Sequence, residues 1–188
     1  MLEGRLNMKE GIKNTLVFDM KDLRHEDFKE YEAFVPPAPI GLNYEEVEFN
    51  NPLSCAVRLL PQGDDNVYVT ADIETKILVE CGRCIIPFEV DIRTSLELLF
   101  SVGSKSPEDI EADERYFDGE TLDISEDVRQ ALVLEIPTWP LCSETCEGLC
   151  SQCGAELNIG ACSCEPTDEA PASTSNPFSV LSKMLENS

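Results

Sequence analysis

Residues 67–100 read VYVTADIETKILVECGRCIIPFEVDIRTSLELLF, and their pattern sets the architecture of the chain. Between Val67 and Cys81 the odd-numbered positions are apolar, apart from Thr75. Between Ile86 and Phe100 most even-numbered positions are apolar instead. Because side chains alternate between the two faces of a strand, this period of two predicts two long strands that each bury one face.

The residues between these two runs predict a tight hairpin. Gly82 and Arg83 fit a two-residue loop, with glycine first as a type II′ turn prefers. A slip of one residue would turn apolar side chains to the wrong face, so the matching pattern favours this register. The predicted opposite pairs are Val79 with Ile86, Ile77 with Phe88, and Ile73 with Ile92.

The segments before the hairpin predict three further elements. Residues 14–20 and 54–60 have the apolar alternation of strands, and the second of these is joined to the hairpin by the turn PQGDDN. A short helix is predicted over residues 23–34. Pro36, Pro37 and Pro39 then require extended chain.

A helix is predicted over residues 123–136, which read DISEDVRQALVLEI. Asp123 is the predicted cap, Glu126 stands where a capping box needs it, and Pro137 ends the helix. The sequence therefore predicts an α+β fold. An antiparallel β-sheet is packed by one long helix, followed by a small Cys-rich zinc-binding module and a short C-terminal helix.

A cysteine-rich segment follows the helix and reads LCSETCEGLCSQCGAELNIGACSC over residues 141–164. Closely spaced thiolates favour a soft tetrahedral metal ion, with structural Zn²⁺ the default. Four sulfurs close one site, so either two of the six cysteines are not ligands or two ions share bridging thiolates. Cys150 and Cys153, followed by Gly154, are the safest pair. The six candidate ligands are Cys142, Cys146, Cys150, Cys153, Cys162 and Cys164.

The alternative for this segment is the disulfide cluster of a small secreted domain. The first 20 residues carry charges throughout and no apolar segment, so no signal peptide is predicted. Nine cysteines are also an odd number. The metal interpretation is therefore favoured.

A separate thiol pair, Cys81 and Cys84, lies at the tip of the predicted hairpin. It allows three interpretations: a structural turn or contact point, half of a second metal site, or a redox pair. A redox dithiol normally opens a helix, whose dipole lowers the pKa of a thiol, so the hairpin favours the first. Arg83, between the two cysteines, is the one basic residue considered for a local RNA contact.

The charge of the chain restricts its partners. The 188 residues include 37 acidic and 14 basic side chains, a formal net charge of −23. Such a surface repels nucleic-acid phosphates and attracts basic partners, so non-specific RNA or DNA binding is not expected. No apolar run approaches the roughly 20 residues that cross a bilayer, and a cytoplasmic location is predicted.

Catalytic motifs are scarce. The single histidine, His25, lies in an N-terminal segment of uncertain structure, which gives no basis for His-dependent catalysis. Glycine-rich phosphate loops and dinucleotide-binding motifs are absent from the sequence. The best enzymatic alternative is a thiol oxidoreductase that uses Cys81 and Cys84.

Five regions are predicted along the chain. They are a disordered N-terminus (1–12), the α+β domain (13–140), the Cys-rich zinc module (141–165), a linker (166–175) and a short amphipathic tail (176–188).

Several motifs, taken in this order, resemble the YceD family, the large ribosomal RNA subunit accumulation proteins of bacteria and plastids. The similar segments are ECGRC (80–84) with the strand after it, the acidic loop, DISEDVRQALVLEIP (123–137), PLC (140–142), CEGLCSQCGAELN (146–158) and NPFSVL (176–181). The resemblance implies a role in ribosome assembly that supports accumulation of large-subunit ribosomal RNA. It implies no catalytic residue, and it implies that the metal organises structure.

Resemblance and charge together predict a partner. We expect a basic ribosomal protein or assembly factor to be held by the acidic face, with large-subunit RNA contacted directly or indirectly. The alternative is a zinc-binding adaptor or chaperone for a basic protein, without a ribosomal role.

Overall fold

A computed structural model of the chain describes residues 10–23, 27–44, 46–103 and 115–164. Two compact units are present, and the second begins at Glu147. His25, the linker over 166–175 and the amphipathic tail over 176–188 lie outside the described residues.

The first unit contains all the described strands and the described helix. They are β1 (Glu10–Lys13), β2 (Val17–Asp19), β3 (Lys29–Val35), β4 (Val47–Glu48), β5 (Leu53–Gln62), β6 (Asn66–Glu80), β7 (Pro87–Val102), β8 (Arg115–Phe117), β9 (Thr121–Asp123) and α1 (Ser125–Glu135). Short 3-10 helices span Met20–Leu23 and Ala38–Ile40. Strand β1 begins within the segment 1–12 that the sequence assigned to a disordered end.

Seven of these strands form one sheet in the order β1-β3-β5-β6-β7-β8, with β4 beside β6. The β1–β3 and β7–β8 pairs are parallel and the others are antiparallel. Strands β2 and β9 form a separate antiparallel pair. The described chain is thus mostly β-sheet with one helix, consistent with the predicted α+β class, and the predicted strand over 54–60 is confirmed as β5.

The helix predicted over residues 23–34 is wrong, because β3 occupies the second half of this segment. Tyr31, Ala33 and Val35 are buried and alternate with more exposed residues, and β3 pairs with β5 along its whole length. This period of two outweighs the loose apolar spacing that had favoured a helix.

The hairpin of β6 and β7 is confirmed, but its predicted register is wrong. Val79 lies opposite Phe88, not Ile86, and Ile77 lies opposite Val90. The difference is two residues. Because side chains alternate with a period of two, the same apolar residues still face the core.

The register differs because the loop is longer than predicted. The Cys81 amide donates a hydrogen bond to the Ile86 carbonyl (3.0 Å), and the Ile85 amide donates to the Cys81 carbonyl (2.8 Å). The loop therefore spans four residues, 82–85. Ile85 has the positive φ, of 62°, which a β-branched residue rarely adopts.

Helix α1 packs on the sheet through two fully buried residues, Val128 and Leu132, and Ile124, immediately before the helix, is also fully buried. The predicted cap at Asp123 is wrong, because the residue at the N-cap is Ile124, which makes no side-chain capping hydrogen bond. Asp123 lies one residue further out, and its Oδ1 accepts a hydrogen bond from the Ser125 amide at 2.8 Å. Glu126 does not complete a capping box; its carboxylate accepts hydrogen bonds from Arg129 and Gln130.

Candidate metal centres

Eight of the nine cysteines form two separate groups of four. In each group, the four Sγ atoms all lie within 4.8 Å of one another, so each group can hold a metal ion. Thiol group A consists of Cys81, Cys84, Cys142 and Cys146, and thiol group B consists of Cys150, Cys153, Cys162 and Cys164.

Thiol group A joins two parts of the first unit. The β6–β7 loop supplies Cys81 and Cys84, and the segment after α1 supplies Cys142 and Cys146. The Sγ atoms of Cys81 and Cys146 are 3.8 Å apart, and those of Cys84 and Cys142 are 3.7 Å apart. Four sulfurs placed tetrahedrally about 2.3 Å from one Zn²⁺ would be about 3.8 Å apart, so the spacing fits this ion.

Hydrogen bonds to backbone carbonyls hold the two segments of thiol group A together. The Gly82 amide donates to the Pro140 carbonyl at 2.8 Å. Arg83 Nη1 donates to the carbonyl of Cys146 at 2.8 Å and to that of Glu144 at 3.4 Å. Arg83, which the sequence offered as an RNA contact, thus binds two backbone carbonyls of this protein beside the thiols.

Gly82 has a packing role that the sequence did not reveal. A Cβ at this position would lie 2.7 Å from a ring carbon of Trp139, closer than real Cβ contacts come. The glycine is required by this close approach, and not by the positive φ of the predicted type II′ turn.

Backbone amides surround the first sulfur of each group. The amides of Cys142 and Arg83 lie 3.4 and 3.5 Å from Cys81 Sγ, and hydrogen bonds from the Cys142 amide and its neighbours lower the pKa of Cys81 to about 6. The amides of Cys153 and Gln152 lower the pKa of Cys150 to about 6 in the same way. Cys81 and Cys150 therefore favour the thiolate, which is the form that binds metal. In the same groups, desolvation and the neighbouring thiols raise the pKa of Cys142 to about 12, and the neighbouring thiols with desolvation do the same for Cys164.

Thiol group B is formed within the second unit. The Cys150 amide donates to the Ala155 carbonyl and the Gly154 amide donates to the Cys150 carbonyl, both at 2.8 Å. Gly154 has a φ of 71°, so this turn uses the left-handed conformation that glycine tolerates. The Cys162 thiol lies 3.4 Å from Cys150 Sγ, which brings the end of the segment back to the turn.

The structure divides eight cysteines into two groups of four, whereas the sequence had offered the six cysteines of residues 141–164 as the candidate ligands. Cys142 and Cys146 contact the hairpin thiols, Cys81 and Cys84, and the four cysteines that follow them in sequence form a group of their own. The signal for this arrangement was the C-x2-C spacing in ECGRC, which matches that of CSQC. The ninth cysteine, Cys55, lies in the core on β5, where burial raises its pKa to about 12.

Comparison with known proteins assigns the family. The family described as "Large ribosomal RNA subunit accumulation protein YceD" matches residues 69–185. The chain belongs to the YceD family. The matched region includes thiol group A, thiol group B and helix α1.

Individual relatives extend the comparison. An uncharacterized protein of Mycobacterium tuberculosis is 32% identical over 133 residues, which are 69% of this chain and 63% of the relative. One from Mycobacterium leprae is 28% identical over 65% of this chain and 57% of the relative. The chain thus spans less than two thirds of these mycobacterial proteins.

A plant relative carries the family description in its name. The maize "Large ribosomal RNA subunit accumulation protein YCED homolog 1, chloroplastic" is 44% identical over 46 residues, covering 24% of this chain and 16% of the relative. No solved structure matches. Among the described residues, no helix has the length and apolar character needed to cross a membrane.

Proposed function

We propose that this YceD protein is a non-enzymatic ribosome biogenesis factor that supports accumulation of large-subunit ribosomal RNA. Membership of the family carries the proposal, because the matched region spans the hairpin, both thiol groups and the helix. The description of the family names an accumulation protein and no reaction. We also propose that it acts in the cytoplasm, as the sequence predicts.

The proposal assigns one structural Zn²⁺ to each thiol group. Four thiolates complete the tetrahedral coordination of Zn²⁺ and leave no position for water or substrate, which is the arrangement of structural sites. In thiol group A the ion would fix the β6–β7 loop to the segment after α1. A redox role for Cys81 and Cys84 is less favoured, because two further thiols lie within 4.8 Å of them.

The outer face of the sheet supports a basic protein partner. On β6 and β7 this face carries six exposed carboxylates and only two basic side chains. Both bases already have partners: Lys76 lies 3.5 Å from Asp91, and Arg93 lies 3.6 Å from Glu74. The remaining negative charge favours a basic ribosomal protein or assembly factor and disfavours direct contact with RNA phosphates. The carboxylates are Asp72, Glu74, Glu80, Glu89, Asp91 and Glu97.

Depletion of the protein from its own cells tests this function. We expect large-subunit ribosomal RNA to fall relative to small-subunit RNA, with large-subunit precursors accumulating. An unchanged ratio would contradict the proposal. If depletion left the ratio unchanged but the purified protein bound a basic protein partner, the adaptor function would replace the proposed ribosomal function.

A further inference from the structure

Strand β7 has an open edge. It pairs with β6 along 66–80, and its other edge is paired with β8 only at 100–102. Within the described parts of the chain, no strand lies beside this edge from Pro87 to Leu99. An edge of this length is a template for pairing with another strand.

The hydrogen-bonding groups at this edge belong to the odd-numbered residues. Ile86 accepts a hydrogen bond from Cys81, and Val102 donates one to Asp65, so the even-numbered residues direct their amides and carbonyls towards β6 and the turn that precedes it. In an antiparallel pair this direction alternates along the strand. The backbone amides and carbonyls of the odd-numbered residues from Glu89 to Leu99 therefore point to the open edge. Pro87 is also an odd-numbered residue, but it has no amide hydrogen.

We propose that β7 pairs antiparallel with β7 of a second copy of this chain, about a two-fold axis at Ile92. Asp91 then lies opposite Arg93 of the partner subunit, and the symmetry repeats this pair. Within one subunit, Arg93 already lies opposite Glu74 and Asp91 opposite Lys76. The joined sheet carries an unbroken row of alternating charges: Glu74, Arg93, the partner subunit's Asp91 and the partner subunit's Lys76.

The registers nearest to the one about Ile92 place like charges together. With the axis at Asp91 or at Arg93, that residue lies opposite the same residue of the second subunit. Moving the axis two residues from Ile92 opposes Glu89 with Asp91 in one direction and Asp91 with Glu97 in the other. Like charges directly opposite each other destabilise an antiparallel pair, which disfavours these registers. An axis at Ser95 would oppose Arg93 with the partner subunit's Glu97. It would leave Asp91 opposite Leu99, however, and Glu97 lies opposite Thr70 on β6, so only the axis at Ile92 gives the continuous row of alternating charges.

The apolar side of β7 supports the same pairing. Phe88, Val90, Leu96 and Leu98 face the core but are only partly buried. About the axis at Ile92, Val90 lies beside the partner subunit's Thr94, and Phe88 lies beside the partner subunit's Leu96. The second copy would cover this partly exposed row and continue the core across the interface.

Charge reversal in the full chain tests the interface. Asp91→Arg places arginines opposite each other, and Arg93→Asp does the same with aspartates. We expect sedimentation velocity to show a dimer for the wild type and a dissociation constant raised at least about tenfold for each variant. An equimolar mixture of the two variants should recover the dimer, because each mixed interface contains two arginine–aspartate pairs.

A backbone variant tests the edge itself. Ser95→Pro removes an amide hydrogen that points to the open edge and leaves the hydrogen bonds to β6 intact. We therefore expect this variant to be a folded monomer. Ser95→Ala keeps the amide hydrogen and should remain dimeric. A wild type that is monomeric at about 100 µM, a concentration well above a micromolar dissociation constant, would overturn the proposal. So would a dimer that the single charge reversals leave intact. If the monomer binds another protein and Ser95→Pro abolishes that binding, the edge belongs to a different partner and self-pairing is wrong.

Discussion

The indole of Trp139 packs against the Cα of Gly82, leaving only 2.7 Å between a ring carbon and the position that a Cβ would occupy. Gly82 lies between the two hairpin cysteines, and Trp139 lies shortly before Cys142. The contact therefore joins the two segments that supply thiol group A.

Gly82→Ala should lower the free energy of unfolding by about 1–3 kcal/mol, because the added methyl group displaces the indole ring. Urea denaturation of the zinc-loaded protein measures the loss. Gly160→Ala is the control, since nothing lies within 4 Å of a Cβ added there. Trp139→Ala should relieve the overlap, so the double variant should lose less than the two single losses added together. If the loss in unfolding free energy of the double variant equals the sum of the two single losses, contact with Trp139 is not what excludes a larger side chain at residue 82.

Zinc content should be two ions per chain, one for each thiol group. Cys142→Ser and Cys164→Ser should each retain one ion, because each removes one ligand from a different group. Elemental analysis of the purified full chain gives the stoichiometry. Cys55→Ala should retain both ions, because Cys55 lies in the core and in neither group. Loss of zinc from that variant, or no loss from the other two, would contradict the assignment.

Arg83→Ala should accelerate zinc release from thiol group A by about two- to tenfold, because the Cys146 and Glu144 carbonyls lose a charged donor. A chromophoric chelator follows the release. Arg83→Lys should have a smaller effect. Arg58→Ala, which removes an exposed arginine paired with Glu30, should have none. Equal rates of zinc release from the wild type and Arg83→Ala would show that the hydrogen bonds of Arg83 do not stabilise the site.

Glu126 should make stability depend on acid pH. Hydrogen bonds from Arg129 and Gln130 lower the pKa of Glu126 from 4.5 to about 2. A lowered pKa means that the stabilisation is complete above pH 4.5 and is lost as the pH falls towards 2.

The test is the difference in unfolding free energy between wild type and Glu126→Gln, measured by urea denaturation as the pH falls. The difference should shrink below pH 4.5, the ordinary pKa of this group. In an Arg129→Met background, the effect of Glu126→Gln on the unfolding free energy should depend much less on pH, because the main hydrogen-bonding partner is gone. A difference that stays constant with pH when Arg129 is present would contradict the ion pair as its source.

The strands and the faces they bury were predictable because alternation is a local property. Residues 67–100 carry it without reference to the rest of the chain, and the structure retains the predicted buried face of β6 and β7. The register was not predictable in this way. It depends on the four-residue loop, whose conformation is fixed by contacts of Gly82 and Arg83 with residues more than fifty positions later.

The cysteine-rich segment shows the same limit. Spacing alone identified six candidate ligands but gave no reason to separate Cys142 and Cys146 from the four that follow. Their separation depends on the hairpin loop meeting the segment after α1, which is a tertiary contact. The interpretation of Cys81 and Cys84 as half of a metal site stays a prediction; the structure shows that their thiols lie beside those of Cys142 and Cys146.

The most direct measurement is the ratio of large- to small-subunit ribosomal RNA in cells depleted of this protein and supplied with matched amounts of wild type or variant. The account predicts a selective fall on depletion, full recovery with the wild type and with Cys55→Ala, and poor recovery with Cys142→Ser. A ratio that depletion leaves unchanged would contradict a function in accumulation of the large ribosomal subunit RNA.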